Sequence, residues 1–566
     1  MQKKWIIKPT QDPLVTKRLS SELNINETLS SILLQRNIEN YDEAKAFFRP
    51  SLDSLHNPFL MKDMDKAVRR LRQALERQEK ILVYGDYDVD GTTAVALFFG
   101  FISSFYHTID YYIPDRYTEG YGVSNEGIEY AAENGFSLIV CLDCGIKAVE
   151  KISLAASKGV DFIVCDHHRP GNELPAAYAV LDPKRSDCPY PYKELSGCGI
   201  GYKFLQAYCI QYQLDQAPLY EFLDLVVVSI ASDIVPIMGE NRTLAYFGLK
   251  QINAKPRPGL KALIEIASVK DEITISKIVF TIGPRINAAG RIEHAKAAVK
   301  LLLCNDVASA DECARTININ NTTRRDHDSS ITREALGMIE NDELLLNSKS
   351  TVLFKNDWHK GVIGIVASRC IEKFYRPTII LTESNNMASG SARSVVGFDV
   401  YEAIADCSDL LSQFGGHKYA AGLTMELSNV EEFRRKFEAV VSSKISPDQL
   451  EPIVDVDQII TLDQINFKLF KILAQMEPFG PGNMQPVFVS EELSVKGQCK
   501  IIKEEHLKFF VQQKGSLNTF SVIAFGCGSF FESINSGKLF KMAYTIEVNE
   551  YRGEKSLQLC MKDIIL

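Results

Sequence analysis

Between Lys80 and Ala231 the chain alternates short β-rich apolar runs with stretches of helical periodicity, and four of the runs stop at or beside an aspartate. The runs are KILVYG, DYYIP, SLIVCLD, FIVCD and EFLDLVVVSIASD, with TTAVALFFGFISSF reading as a helix after the first. This alternation predicts βαβ units, hence a parallel sheet covered by helices on both faces. Open sheets of that kind bind ligands beyond the carboxyl ends of their strands, which is where the aspartates fall.

A second α/β pattern begins near Thr351 with TVLF, continues through a helix over VIGIVASRCIEKF and the strand RPTIILTE, and reaches the Gly-rich stretch GGHKYAAG. The mostly polar segment between the two, containing NINNTTRRDHDSSITREAL, predicts a long connecting helix or helix pair. From about Pro452 short alternating strands separated by Gly, Asn and Ser turns predict a small antiparallel barrel of OB type. The expected organisation is an N-terminal helical cap on the first domain (1–45), a catalytic α/β domain (46–250), a helical connector (251–346), a substrate-binding α/β domain (347–450) and a barrel that binds nucleic acid (451–566).

The net charge of −9 gives no global basic footprint, so any polyanion must be held by a local groove. The start, MQKKWIIKPTQDP, lacks a signal-like apolar run, and no stretch of about 18 apolar residues occurs. With 13 scattered cysteines, this implies a soluble cytoplasmic protein with no membrane partner. Cys141 and Cys144 form a C-x-x-C without a second pair at zinc-finger spacing, and read as small residues flanking Asp143.

The densest chemical signal is GDYDVDG, placing Asp86, Asp88 and Asp90 between a strand and a helix. Alternating carboxylates at a strand end aim several oxygens into one pocket, as divalent metals require. Read alone, the motif is equally a solvated acidic turn or a calcium loop, although the glutamate expected about twelve residues on is absent. Asp143 ends SLIVCLD, Asp166, His167 and His168 close FIVC, and Asp233 ends LVVVSIAS, read as a further strand. Mixed Asp and His ligands suit manganese or magnesium, and two such ions about 3.5–4 Å apart hydrolyse phosphodiesters without a covalent enzyme intermediate.

In order, GDYDVDG, LDCG, CDHHRPG and ASDIVP resemble the four motifs of the DHH phosphoesterase superfamily. The resemblance implies metal ligation by Asp86, Asp88, Asp143, His167 and Asp233, with His168 a ligand or a phosphate contact and Asp90 an additional member of the set. Small-substrate members of the superfamily carry a histidine before the first aspartate pair. ILVYG has none, which leaves the coordination of the first metal open and points to the RecJ branch. Gly415, Gly416 and His417 in QFGGHKYAAG resemble the DHHA1 motif that closes over the metals and contacts phosphate. IPDRYTEGYG, GPRINAAGR, WHKGVIGIVASR, SGSARS and EPFGPGN also look like RecJ, so the resemblance spreads over most of the chain.

It implies two Mn2+ or Mg2+ ions and a 5′-to-3′ exonuclease of single-stranded DNA in repair and recombination. A monomer, with a helicase and a single-strand-binding protein as partners, is part of the same implication. Arg116, Ser391 and Arg393 fall where the family binds a 5′ phosphate, and Tyr121 belongs to the same motif as Arg116. Arg285, Asn287 and Arg291 are read either as substrate contacts or as polar residues bridging two domains. Trp358 and His359 are read either as stacking on a base or as anchoring the second domain, with proximity to substrate the favoured reading. The alternatives are a phosphodiesterase for short oligonucleotides or cyclic dinucleotides, and an inert DNA-binding scaffold.

Overall fold

The computed structural model describes residues 3–503 and 505–566. Its first sheet is all-parallel, in the order Ile109–Tyr112, Ile81–Gly85, Leu138–Leu142, Asp161–Cys165, Ala179–Leu181. The order reverses at Ile81–Gly85, the first of these strands in the chain, so its crevice opens between the ends of Ile81–Gly85 and Leu138–Leu142. Register finishes the alignment: Gly85 lies opposite Leu142, and Leu142 opposite Cys165, so Asp86, Asp143 and Asp166 leave neighbouring strands side by side.

Asp233 arrives differently. Leu223–Ser232 is a helix, and Asp233 is its C-terminal cap, so the expected fourth strand end is corrected to a helix end. The run is apolar on every side because Leu223 to Ala231 are all buried, the helix packing against Val89–Ser103 and Gly239–Ala254. A segment buried all round has no amphipathic period to separate helix from strand.

The second α/β domain has a five-stranded sheet in the order Gln413–His417, Ala420–Glu426, Met387–Arg393, Thr378–Ser384, Thr351–Phe354. The long helix Val307–Glu340, followed by the short helix Glu343–Asn347, connects the two domains. The C-terminal strands form a closed barrel: Phe488–Ile502, His506–Gln513, Thr519–Ala524, Glu554–Ile565 and Phe540–Tyr551 follow one another, and the last pairs back onto the first.

The N-terminal helices do not cap the first domain's core. Pro13–Leu23, Glu27–Leu34 and Tyr41–Phe48 share an apolar core with the barrel, through Leu19, Ile32 and Phe47 with Leu469, Phe488 and Tyr544. The strand Lys4–Ile7 also pairs in parallel with Ile453–Val456. Their apolar faces were legible in sequence, but the surface that buries them lies more than 400 residues away, as the 447-residue separation of the Arg36–Asn483 hydrogen bond illustrates.

Candidate metal and phosphate site

The acidic loop is assembled by backbone chemistry. Asp88 caps the helix Val89–Ser103, its carboxylate accepting from Gly91 N at 2.9 Å. Asp90 is turned inward, where it accepts from Gly197 N at 2.7 Å, Cys198 N at 2.8 Å and Ser229 Oγ at 2.7 Å. These amides begin the helix Gly197–Gln211, whose positive end suits a carboxylate. Asp90 therefore ties the loop to two helices while remaining within 3.8 Å of His167 Nε2. Gly197 has to be glycine because a Cβ there would lie 2.6 Å from both Cβ and Oδ1 of Asp143. Asp143 itself has a φ of 62°, a left-handed conformation that turns its carboxylate out of the strand end.

His167 Nε2 lies 3.2 Å from Asp143 Oδ1 and 3.5 Å from Asp233 Oδ2. Neither contact has hydrogen-bond geometry: among the described residues Asp143 Oδ1, Asp86 Oδ2 and both ring nitrogens of His167 are buried without a hydrogen-bond partner. Buried polar atoms that converge unpaired are costly unless a cation completes them. Asp143, His167 and His168 bring one ligand atom each within 4.8 Å of one another, and so do Asp90, His167 and Asp233. The donor set therefore fits divalent metal.

The electrostatics agree. Burial, followed by mutual repulsion, raises Asp86, Asp88 and Asp143, and pushes Asp233 up to about 8. Burial lowers His167, leaving a neutral imidazole with a free lone pair. His168 differs: burial opposes its charge, but the 2.8 Å contact of Nδ1 with Asp166 outweighs burial and holds it up at about 9. Its Nε2 lies 3.1 Å from the Tyr121 hydroxyl.

Asp166 was named in sequence without a role of its own, and Asp182 was not singled out. Asp166 accepts from the amides of His167, His168 and Ile146 and orients the His168 ring. Burial alone would raise its pKa, yet these bonds hold it at about 2. Asp182 ends Ala179–Leu181 and is fully buried behind Asp166, its carboxyl pushed up to about 7 by burial and then by Asp166. The same signal that marked the other aspartates, a carboxylate at a strand end, was present in AVLD.

The hairpin bearing Gly415, Gly416 and His417 faces the metal loop across a cleft of about 830 Å3, also lined by Asp88, Tyr121 and His168. Gly416 has a φ of 145°, and a Cβ there would meet Ala421 Cα at 2.5 Å. Burial, followed by Lys147, His168 and Arg169, lowers the pKa of His417.

Beside the metal loop stands a second cluster, of guanidiniums. Arg116 lies over the Tyr87 ring at 4.7 Å, Arg393 donates to Ser391 Oγ at 2.9 Å, and Arg291 donates to Gly361 O at 2.7 Å. Among the described residues none of the three has a carboxylate within 4.0 Å. Burial, then the neighbouring Arg116, Arg324 and Arg393, pushes Arg291 down to about 9, and burial followed by Arg116 lowers Arg393 and Lys360. The first turn of Ile363–Phe374 sits against the pair, since a Cβ on Gly364 would lie 2.8 Å from both Arg393 Nη2 and Ser391 Oγ. Unpaired cations, a hydroxyl and a helix N-terminus make a strong anion site.

Asn287 lines a small cavity with Arg291 and Ser232, whereas Arg285 donates to Thr281 O at 2.7 Å and Asn318 Oδ1 at 3.2 Å and lines a different pocket. Of its two readings Trp358 takes the anchor and not the favoured stacking: it is 4% exposed, and its indole N–H donates to Glu334 on the connecting helix at 2.8 Å, which leaves no face for a base. His359 stacks on His327 of the same helix at 4.9 Å.

Three family models match the chain: the DHH family N-terminal domain over residues 80–230, the DHHA1 domain over 347–443 and the RecJ OB domain over 456–563. Fold and site thus define a DHH–DHHA1 phosphoesterase architecture carrying an OB barrel. The single-stranded-DNA-specific exonuclease RecJ of Bacillus subtilis is 35% identical over 99% of this chain and 70% of its own length, and that of Dickeya dadantii 33% identical over 97% and 98%. The crystal structure of RecJ in complex with Mn2+ from Thermus thermophilus superposes with a TM-score of 0.84 at 26% identity, covering 100% of this chain and 79% of that one. The chain belongs to the RecJ family.

Proposed function

We propose that this chain is a metal-dependent exonuclease that removes nucleotides from the 5′ end of single-stranded DNA during repair and recombination. The observation that carries the reading is the juxtaposition of two unlike clusters: unpaired carboxylates and a neutral histidine on one side of Tyr87, and unpaired guanidiniums led by Arg116 on the other. One suits cations, the other a terminal phosphate. The single-stranded-DNA-specific exonuclease activity in the relatives' names supports the substrate.

In this reading Asp86, Asp88, Asp143, His167 and Asp233 hold two Mn2+ or Mg2+ ions, and Asp90 braces the loop as a peripheral member. Bound there, the ions would polarise the scissile phosphodiester and activate water for attack on phosphorus. His168, kept cationic by Asp166, and Tyr121 contact the phosphate being cut, while His417 and the backbone of Gly415 and Gly416 close on it from the facing domain. Arg116, Arg291, Ser391 and Arg393 take the 5′ phosphate and so set which bond lies over the metals. The barrel gives the remaining strand a sequence-independent track. Its presence argues against a phosphodiesterase for dinucleotides, and the intact ligand set against an inert scaffold. The reading also implies a cytoplasmic monomer working with a helicase and a single-strand-binding protein.

The test is degradation of a single strand labelled at its 3′ end, with 5′-phosphate or 5′-hydroxyl, by wild type and Arg393→Gln. Wild type is expected to prefer the phosphorylated strand at least tenfold, and Arg393→Gln to lose that preference. Equal use of both strands by wild type would remove the terminal-phosphate assignment.

A further inference from the structure

Behind the terminal-phosphate cluster the connecting helix builds a pocket of about 680 Å3 that the mechanism above does not use. Arg285, Arg324, Arg325, Arg333 and Arg369 line it against one carboxylate, Asp328. Among the described residues Arg285, Arg324, Arg325 and Arg333 have no carboxylate within 4.0 Å, and Arg369 pairs only with the exposed Glu372 at 3.2 Å. Arg324 Nε is buried with no hydrogen-bond partner, although Nη2 donates to Asn321 Oδ1 at 2.7 Å. So many guanidiniums left unneutralised in one concavity point to an anion.

Two further observations narrow the ligand. Phe280 stands on the rim, in the π-helical turn Ile278–Ile282, with its side chain 76% exposed. A bare aromatic face beside guanidiniums is what a nucleobase joined to a phosphate requires. A smaller cavity of about 200 Å3 adjoins the pocket on the side of the terminal-phosphate cluster, lined by Ser232, Asn287, Arg291 and Arg324. Ser232 precedes Asp233, and Arg291 belongs to the terminal-phosphate cluster. Arg324 lines both cavities.

We propose that this pocket is an exit site for the product: the released nucleoside 5′-monophosphate passes from Arg291 to Arg324, with its phosphate on the guanidiniums and its base against Phe280. The inference rests on the 5′-end reading above, because only cleavage from that end leaves the freed mononucleotide with its phosphate in the arginine cluster. The same chemistry would be presented by a phosphodiester of the uncut strand, and kinetics separate the two sources. A product site acts after the bond is broken and limits kcat, whereas a strand site contributes to kcat/KM.

Phe280→Trp gives a local reporter beside the two native tryptophans. Deoxyadenosine 5′-monophosphate is expected to quench it, with deoxyadenosine at least tenfold weaker. Adding the exposed pair Arg325→Gln and Arg333→Gln should weaken the nucleotide at least tenfold. In the otherwise native enzyme the same pair should slow degradation severalfold at saturating single-stranded DNA and leave kcat/KM unchanged. A fall in kcat/KM, with a 5′-hydroxyl oligonucleotide displacing the nucleotide, would overturn product exit in favour of a strand site. Unchanged nucleotide affinity in the Gln pair would overturn the pocket as a ligand site. Wild-type enzyme that fails to degrade single-stranded DNA at all would instead remove the underlying activity, a result read without any of these variants.

Discussion

Asp233 is held up at about 8 by burial and then by Asp90 and Asp88, while Asp86, Asp88 and Asp143 are raised for the same reasons. A carboxyl whose folded pKa exceeds its unfolded one stabilises the fold in its protonated form. That stability is present below the unfolded value near 4 and is lost as pH rises towards 8. The metal-free protein should therefore weaken between pH 6 and pH 8, where the carboxylates must ionise against one another. Divalent cations reverse the repulsion and no longer compete with protons at the higher pH. The rise in melting temperature on adding Mn2+ should be larger at pH 8 than at pH 6, measured by thermal melts with and without chelator. Equal rises at both values would mean that the carboxylates do not ionise on metal binding. At this scale the sequence was informative because metal ligation calls for particular residue types: Asp86, Asp88, Asp143, His167 and Asp233, the ligands proposed above, could all be named from it. The roles of Asp90 and Asp166 could not, since whether a carboxylate faces a cation or three backbone amides depends on the helix packed behind it.

At the scale of elements, the site depends on how closely the helix Gly197–Gln211 approaches the strand end at Asp143. Gly197→Ala would drive a methyl into that carboxylate at 2.6 Å, so it should cut Mn2+ affinity and activity at least tenfold, read by metal titration and nuclease rate. Gly337 is the control, because a Cβ on this residue of the connecting helix meets nothing within 4 Å. Gly337→Ala should raise stability by about 0.5–1 kcal/mol and leave activity unchanged. The element types were legible wherever a segment has two different faces, as in the alternating strands of the barrel. Leu223–Ser232 was misread because it is buried all round, and a valine-rich run without a polar face carries no period.

Across the whole molecule, Arg242 of the first domain joins distant parts of the chain. Its guanidinium donates to Phe47 O at 3.0 Å, Met476 O at 2.9 Å and Glu477 O at 2.9 Å, linking the N-terminal helices, the segment leading into the barrel and the first α/β domain. Arg242→Ala leaves those carbonyls unpaired and should cost about 3 kcal/mol or more, seen as a lower urea midpoint. An unchanged midpoint would mean that the docking is held by apolar contact alone. This long-range assembly was the least legible part of the sequence, because an apolar face does not name the surface that covers it. The N-terminal helices consequently belong with the barrel rather than with the domain that follows them. In the proposed function both scales meet: one set of strand-end and helix-end carboxylates, in a cleft flanked by cations, would hold the divalent metal that hydrolyses single-stranded DNA. The most direct measurement is digestion of labelled single-stranded and duplex DNA in Mn2+ by wild type and Asp143→Asn. The proposed function requires that wild type degrade the single strand, spare the duplex and stop on chelation, and that Asp143→Asn be inactive. Full activity in Asp143→Asn, or equal digestion of both substrates, would contradict it.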